Sequence, residues 1–220
     1  TFGLTYFTSE KYILVLSHDE VVHLKCSMIN KMPGLLEDKF ANLKAGYTFM
    51  LGHPGKKLLF MGQDFGQFHE WDEKTALDWY LADEPLNDEP QNASLQSYVK
   101  DLLQLYRKYP ALYELDYDWD GFQWINANDG DRSIFSFVRY SRDHKRSLLF
   151  VINFTPVERP DYRVGVPKRG TYTLVLDNSH GLYKRGDKAP AFRSVKKECD
   201  GQDYSIAYSL PAYGTAVFRF

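Results

Sequence analysis

The densest group of polar side chains in the sequence is the segment Ser17–His23, which follows an apolar run directly. Retaining glycosyl transfer uses a carboxylate nucleophile, a carboxylic acid/base and further groups that bind the hydroxyls of a distorted sugar. An adjacent His18 and Asp19 at the end of a strand suit that last task. The same two residues could instead cap the next helix or pair with each other. The residue types alone leave these two interpretations equally open.

A zinc site is a poor fit to the same segment. Zinc-binding helices carry two histidines one turn apart, at positions i and i+4, so that both can reach one metal. His18 and His23 are five residues apart, which separates them by roughly 140° on a helix.

Cys26 and Cys199 lie far apart and outside any C-x-x-C pattern, so neither a thiolate metal site nor a disulfide framework is predicted. A reducing cytoplasm is the expected compartment.

Two apolar strands alternate with two amphipathic helices in the first half of the chain. The strands are predicted at Tyr12–Leu16 and Lys57–Met61, and the helices at Leu35–Leu51 and Ser94–Lys108. Short, continuously apolar strands that end in polar loops are typical of parallel sheets buried on both faces, with functional groups at the carboxyl ends of the strands. Two such βα units cannot close a barrel, so we expect them to end a larger sheet and to expose apolar surface here.

The second half of the chain is predicted to be all-β. Short apolar or alternating runs are separated by turn-forming residues; they are Gly121–Ile125, Ser133–Val138, Ser147–Ile152, Thr171–Leu176, Tyr204–Tyr208 and Gly214–Phe220. We predict an α/β domain over residues 1–113 and an antiparallel β-sandwich over residues 114–220.

Composition narrows the class of protein. The 220 residues are 44% hydrophobic and 25% charged, with a formal charge of −2, which is ordinary for a soluble protein and gives no reason to expect a nucleic-acid partner. No run approaches the roughly 20 apolar residues of a membrane-spanning helix, and no signal peptide is evident. The pair Lys56-Lys57 is expected to be solvated.

Several motifs together resemble the bacterial 1,4-α-glucan (glycogen) branching enzymes of the α-amylase superfamily. They occur in that family's order: Leu16–His23, Met32–Gly34 with Lys39–Leu43, His53–Gly62, Phe65–Gln67, Glu70-Trp71, Leu77–Trp79 and Glu114–Asp116. The resemblance begins at Thr1–Leu4 and covers essentially the whole chain. It implies the last two βα units of a (β/α)8 TIM barrel, followed by an antiparallel β-sandwich.

The resemblance also implies roles for individual residues. Asp19 corresponds to the carboxylate that stabilises the transition state, and His18 to the residue that binds the donor sugar. Further substrate contacts are implied for Glu20, His23, Asp64 and Trp71. The family's nucleophilic Asp and acid/base Glu lie upstream and are absent from this chain. The family usually carries glycine where Leu24 stands.

For function, the resemblance implies a glycosyltransferase that cleaves α-1,4 glucan links and forms α-1,6 branches in glycogen biosynthesis. Neither a metal nor an organic cofactor is implied. The expected partners are α-glucan chains, such as glycogen or amylose, and the missing N-terminal part of the same enzyme. The chain by itself is predicted to be inactive, because it lacks the nucleophile and the acid/base.

Two alternatives remain beside this hypothesis. The aromatic β domain could make the chain a non-catalytic glucan-binding or scaffolding module. The chain could also belong to another α-amylase-superfamily hydrolase, such as a trehalose-forming enzyme, although the Glu20–His23 sequence after His18-Asp19 argues against that.

Overall fold

The computed structural model of the protein describes residues 10–83 and 91–220. The start of the family resemblance, Thr1–Leu4, lies outside these residues. The helices are α1 (Leu36–Gly52), α2 (Tyr80–Asp83) and α3 (Gln91–Lys108). The strands are β1 (Ile13–Leu16), β2 (Lys56–Leu59), β3 (Phe122–Asn126), β4 (Ile134–Arg139), β5 (Leu148–Asn153), β6 (Arg159–Val166), β7 (Thr171–Asp177), β8 (Gly181–Leu182), β9 (Ala191–Arg193), β10 (Tyr204–Leu210) and β11 (Thr215–Arg219).

The two predicted strands of the first half, β1 and β2, pair with each other in parallel. Their register aligns Ile13 with Lys56 and Leu16 with Leu59, so both carboxyl ends lie at one edge. The expectation that these strands are buried on both faces is wrong for this chain, because Ile13 and Val15 are each 52% exposed. A two-stranded sheet has too few neighbours to cover both faces. The predicted exposure of apolar surface is therefore confirmed.

Helix α1 packs beside this small sheet, and the loop that follows it leads into β2. The Asp38 carboxylate accepts a hydrogen bond from the Leu35 N–H, 3.1 Å away, at the start of the helix. Phe40, Leu43 and Tyr47 carry its buried face. The helix ends at Gly52, as the His53–Gly55 sequence predicts, because proline cannot continue a helix.

Helix α3 begins three residues earlier than the sequence indicates. The buried Asn92 side chain donates to the carbonyls of Phe65 and Gly66, at 2.8 and 3.1 Å. These bonds tie the start of α3 to the loop that follows β2. Since they join residues far apart in the chain, local sequence could not reveal them.

The second half forms two antiparallel sheets, as predicted. The larger has seven strands in the order β3-β4-β5-β11-β7-β8, with β9 also on β7, and the smaller pairs β10 with β6. Strand β6 was not predicted. It contains Pro160 and three charged residues, which argue against a strand.

The larger sheet is buried on both faces, which explains why all six residues of β5 are buried. On one face Phe137, Phe150 and Val217 share a core with α1 and α3. On the other face the side chains of the sheet pack against Val164 of β6 and Ile206 of β10. The hydrophobic core thus runs continuously across residues 113 and 114.

A buried ion pair joins the two halves at the end of α1. The Arg139 guanidinium lies 2.8 Å from the Asp116 carboxylate and donates to the Gly52 carbonyl, also at 2.8 Å. Lys56 contacts the other Asp116 oxygen at 2.7 Å. Burial also lowers the pKa of Lys57 to about 7. The expectation that Lys56-Lys57 is a solvated pair is therefore wrong for Lys57, whereas the Lys56 side chain remains 47% exposed beside Asp116.

Candidate functional site

His18 and Asp19 lie in a short 3₁₀ turn directly after β1. The Ser17 hydroxyl caps this turn by accepting a hydrogen bond from the Asp19 N–H at 3.2 Å. His18 Nε2 lies 3.4 Å from an Asp19 carboxylate oxygen, and the two side chains are 52% and 70% exposed. Exposed pairs of this kind contribute little to stability, so the pair is free to interact with a ligand.

Two aromatic rings stand beside His18. The Phe60 ring centroid lies 5.9 Å and the Trp71 centroid 6.0 Å from the imidazole. Phe60 directly follows β2, and its N–H donates to the Leu16 carbonyl at 3.0 Å. The side chain of buried Gln63 donates to the carbonyls of Leu16 and Ser17. The loops after β1 and β2 are thereby held together at one edge of the sheet.

The remaining residues of the predicted motif make contacts within the same loops. The Glu20 carboxylate lies 3.8 Å from the Lys31 ammonium. His23 Nδ1 lies 3.7 Å from the Glu70 carboxylate, in the loop after β2. Glu20 and His23 are exposed, so either side chain can reach a ligand.

Glu70 has a structural role that the Glu70-Trp71 motif does not reveal. Its carboxylate accepts hydrogen bonds from the N–H groups of Cys26, at 2.7 Å, and Leu24, at 3.1 Å. Leu24 and Cys26 both have left-handed backbones, with φ of 68° and 64°, a conformation that disfavours side chains other than glycine. The Cys26 N–H, more than any other group, lowers the pKa of Glu70. Glu70 therefore holds a strained loop closed.

A cleft of about 720 Å³ opens beside these residues. Trp71, His23 and Glu70 line it, together with much of the segment from Gln67 to Asp78. The backbone N–H of Trp71 donates to the Val21 carbonyl at 2.8 Å, and its ring contacts His18 and Phe60. Polar walls with an aromatic side chain suit a sugar ligand.

An oriented His–Asp pair also lines the cleft and was missed by the sequence analysis. His69 Nδ1 lies 2.7 Å from the Asp78 carboxylate. The Gln67 side chain accepts from the Asp78 N–H and donates to the His69 carbonyl, at 3.0 and 3.3 Å. The nine-residue spacing of the pair matches no catalytic pattern, so only the folded loop reveals it.

Asp64 does not lie with the other predicted site residues. Its carboxylate accepts a hydrogen bond from the Gln96 side chain of α3 at 3.1 Å. It lines a separate cavity between β2 and α3. Trp79 packs against Phe65 with ring centroids 5.3 Å apart and remains half exposed.

The described residues include no group of three or more His, Cys, Asp or Glu side chains placed to hold a metal ion. Across residues 10–83 and 91–220, no helix is long and apolar enough to cross a membrane.

Known proteins resemble this chain in sequence and in fold. Residues 124–220 match the family described as the alpha amylase C-terminal all-beta domain. Among solved structures, the α-amylase of H. orenii superposes with a TM-score of 0.55 at 18% identity, covering 94% of this chain and 39% of that one. A structure titled AmyP in complex with maltose gives 0.52 at 15% identity, with 82% and 35% covered. At such identities these structures support the α-amylase fold alone.

Sequence relatives then give a narrower family. The chain is 56% identical to the 1,4-alpha-glucan branching enzyme GlgB of Butyrivibrio fibrisolvens, over 100% of this chain and 34% of that protein. The corresponding enzyme of Gloeobacter violaceus is 45% identical, with 100% and 30% covered. The chain is therefore a homologue of the bacterial 1,4-α-glucan branching enzymes, as its motifs predict, and spans about a third of their length.

Proposed function

We propose that this chain is the part of a 1,4-α-glucan branching enzyme that brings His18 and Asp19 to the active site. The observation that supports this most strongly is their position at the shared carboxyl edge of two parallel strands, where α/β barrels carry their catalytic groups. The reaction is taken from the similarity to branching enzymes, which covers all of this chain and 34% of the relative. The intact enzyme would cleave an α-1,4 glucan link and transfer the chain to a glucose 6-hydroxyl.

In this proposal each residue has a distinct task. Asp19 would stabilise the positive charge that develops on the sugar in an oxocarbenium-like transition state. His18 would bind a hydroxyl of the donor sugar, with its ring oriented by Phe60 and Trp71. Glu20, His23 and Trp71 would contact the glucan from the loops around the cleft. Asp64 would line the barrel side and support α3 through Gln96.

The proposal also covers architecture. Residues 1–113 would form the last two βα units of a (β/α)8 barrel, and residues 114–220 the β-sandwich that follows it. The exposed faces of Ile13 and Val15 are then covered by the upstream units, which carry the nucleophilic Asp and the acid/base Glu. The enzyme would act in the cytoplasm, where glycogen is made, without a metal or organic cofactor.

Complementation tests this proposal directly. The isolated chain should form no α-1,6 links in amylose, because the two carboxylates required for retaining transfer lie on the upstream part. Co-expression with that upstream part should restore branching, measured by the loss of iodine staining and by a count of branch linkages. Activity of the isolated chain, or none from the recombined halves when they form a stable complex, would disprove the proposal.

A glucan-binding module is the second candidate, supported by the cleft around Trp71. Affinity electrophoresis of the whole chain in glycogen gels separates the two functions. Two results together would favour a binding module. The reconstituted enzyme would bind glycogen, and its Asp19→Asn variant would branch normally. The whole chain is required for this test, since the core of the β domain continues into α1 and α3.

A further inference from the structure

A shallow groove separate from the cleft around Trp71 lies between α3 and the segment that follows β8. It has a volume of about 470 Å³ and is bounded by Gln104, Arg107 and Lys108 of α3 and by residues Tyr183–Arg185, which follow β8. Positions 104, 107 and 108 fall on one face of the helix, because residues three and four apart are neighbours. We call this feature the α3–β8 groove.

The cations of this groove come from two separate elements. Arg107 and Lys108 occupy the last turn of α3, where positive charge stabilises the helix dipole. Lys184 and Arg185 do not stabilise a helix dipole, because they lie in a turn and not at a helix end. Their approach to two further cations is unfavourable without a counter-charge. The chain as a whole carries a charge of −2, so the cluster is local.

Two carboxylates beside the groove accept backbone hydrogen bonds and offset part of its positive charge. Asp101 accepts a hydrogen bond from the Leu182 N–H at 3.0 Å, and Asp187 accepts one from the Lys184 N–H at 2.6 Å. Among the ion pairs of residues 10–83 and 91–220, none includes any of the four groove cations. Their donors therefore face the groove and solvent.

The basic surface continues past the end of α3. The Lys108 ammonium lies 5.5 Å from the centre of the Tyr109 ring. Burial raises the pKa of Tyr109, while the charges of Arg219 and Arg146 act in the opposite direction. These two positive charges thus act on Tyr109, the residue that follows α3.

The wall opposite α3 is held in place by short-range contacts. The Asp177 carboxylate accepts hydrogen bonds from the His180 N–H at 2.6 Å and from the Tyr183 hydroxyl at 3.2 Å. The Tyr183 ring stacks on the His180 ring with centroids 4.0 Å apart and planes inclined by 6°. A wall ordered in advance lowers the entropic cost of binding.

We propose that the α3–β8 groove binds a phosphate monoester carried by a sugar. Arginine offers paired donors that match phosphate oxygens, and lysine adds point charge. Tyr183 lines the groove beside these cations, and the part of its ring that His180 does not cover is an apolar surface against which a pyranose ring can pack. The volume suits a small ligand. A nucleic acid would require a longer basic surface than this groove provides. This inference goes beyond the proposed function and does not rest on it.

Titrations followed by ¹⁵N–¹H NMR test the proposal on the 220-residue chain. The probes are glucose 6-phosphate, a phosphorylated malto-oligosaccharide, inorganic phosphate and unphosphorylated maltohexaose. The two phosphosugars should shift the amides of residues 104–108 and 182–185, and each should bind more tightly than either inorganic phosphate or maltohexaose. Whichever phosphosugar binds more tightly identifies the source of the ligand, either a free hexose phosphate or a phosphorylated glucan.

Charge-removing variants give the matched control. The double variant Lys184→Gln/Arg185→Gln should weaken phosphosugar binding about ten-fold or more, since a charge-assisted hydrogen bond is typically worth about 1.5–3 kcal/mol. Lys196→Gln/Lys197→Gln removes the same charge from exposed positions elsewhere in the β domain and should leave binding unchanged. Equal losses in both variants would overturn the proposal. So would shifts that map outside the groove, or tighter binding of a short oligonucleotide.

Discussion

Glu70 is the residue on which the geometry of the proposed site depends most. It contacts the backbone at Leu24 and Cys26 and the imidazole of His23, and so connects the loop after β2 to the loop that carries Asp19. The two left-handed positions in that loop have an intrinsic cost, and the Glu70 hydrogen bonds offset part of it. We regard Glu70 as a positioning residue that acts through the His18 loop.

Replacing Glu70 by alanine should loosen this loop without unfolding the chain. Amide hydrogen exchange at Leu24 and Cys26 should accelerate about ten-fold or more, because both N–H groups lose their acceptor. NMR-detected exchange measures this residue by residue. Glu73→Ala, an exposed carboxylate in the same segment, is the control. Unchanged protection at Cys26 in Glu70→Ala would contradict the positioning role.

The same contact predicts a pH dependence with a defined direction. The pKa of Glu70 is lowered in the folded chain, chiefly by the Cys26 N–H. Its contribution to loop closure is therefore complete above the pKa of an unfolded glutamate and is lost as the pH falls through the lower, folded value. Protection of the Leu24 and Cys26 amides should persist at neutral pH and decline only in acid. A decline beginning near neutrality would contradict this role for the Glu70 carboxylate.

For single residues, the sequence identified candidate catalytic side chains but not the contacts that hold them in place. The run Ser17–His23 after an apolar strand identified His18 and Asp19 as candidates. Glu70 and His69 were missed as positioned groups, because their partners are recognised only after two loops meet in space. Asp64 was grouped with the site, yet the fold turns it toward Gln96. Position along a loop does not determine which way a side chain points.

His53 terminates α1 and lies inside an aromatic cluster of the helix–sheet interface. Its ring stacks on Phe49 with centroids 4.9 Å apart and meets the edges of Phe122 and Phe137. It is only 3% exposed. Burial, together with the positive charges of Lys57 and Arg139, lowers the pKa of His53 to about 3. The neutral ring is part of the hydrophobic core.

Because His53 is buried at the end of α1, we expect the free energy of unfolding to fall in acid. Because the folded pKa lies below the unfolded one, stability is complete above pH ~6.5 and falls as the pH drops toward 3, by up to about 1.4 kcal/mol per pH unit. The variant His53→Phe should flatten that part of the curve in urea denaturation. His23→Gln, at an exposed position, should leave it unchanged. A curve unaltered by His53→Phe would refute the assignment.

Element boundaries followed local sequence where the pattern was strong. The run Leu14–Leu16 and the stop at His53–Gly55 both appear where the sequence places them. Strand β6 was missed because Pro160 and the charged residues around it disfavour a strand; β10 pairs with it and buries Tyr162 and Val164 nonetheless. The burial of β1 was overestimated. Its apolar composition shows that the strand is suited to burial, but burial also requires neighbouring elements, and the described residues do not cover both of its faces.

At the scale of the whole molecule, the two halves share one hydrophobic core and one buried ion pair. Arg139 is fully buried and its charge is balanced by Asp116, which also contacts Lys56. An unpaired charge in this position would be strongly unfavourable. The βα part and the β-sandwich are therefore expected to unfold together.

Replacing Asp116 by asparagine should destabilise the entire chain by about 3–5 kcal/mol, because it leaves the buried Arg139 without a counter-charge. Urea denaturation followed by tryptophan fluorescence and by far-ultraviolet circular dichroism should show one transition shifted to lower urea. Asp120→Asn, at an exposed site four residues away, should change stability by less than about 0.5 kcal/mol. Two separate transitions, only one of which responds, would contradict a shared core.

We propose that Asp19, at the carboxyl edge of β1, stabilises the transition state of a branching reaction completed by upstream residues. The most direct test is the rate of α-1,6 link formation in the intact enzyme, with Asp19→Asn compared with wild type and with Asp131→Asn at an exposed turn. We predict that Asp19→Asn lowers this rate by about a thousand-fold, in line with the loss of a strong electrostatic contact. Its melting temperature should not change, and Asp131→Asn should behave as wild type. Near-normal branching by a folded Asp19→Asn enzyme would contradict the account.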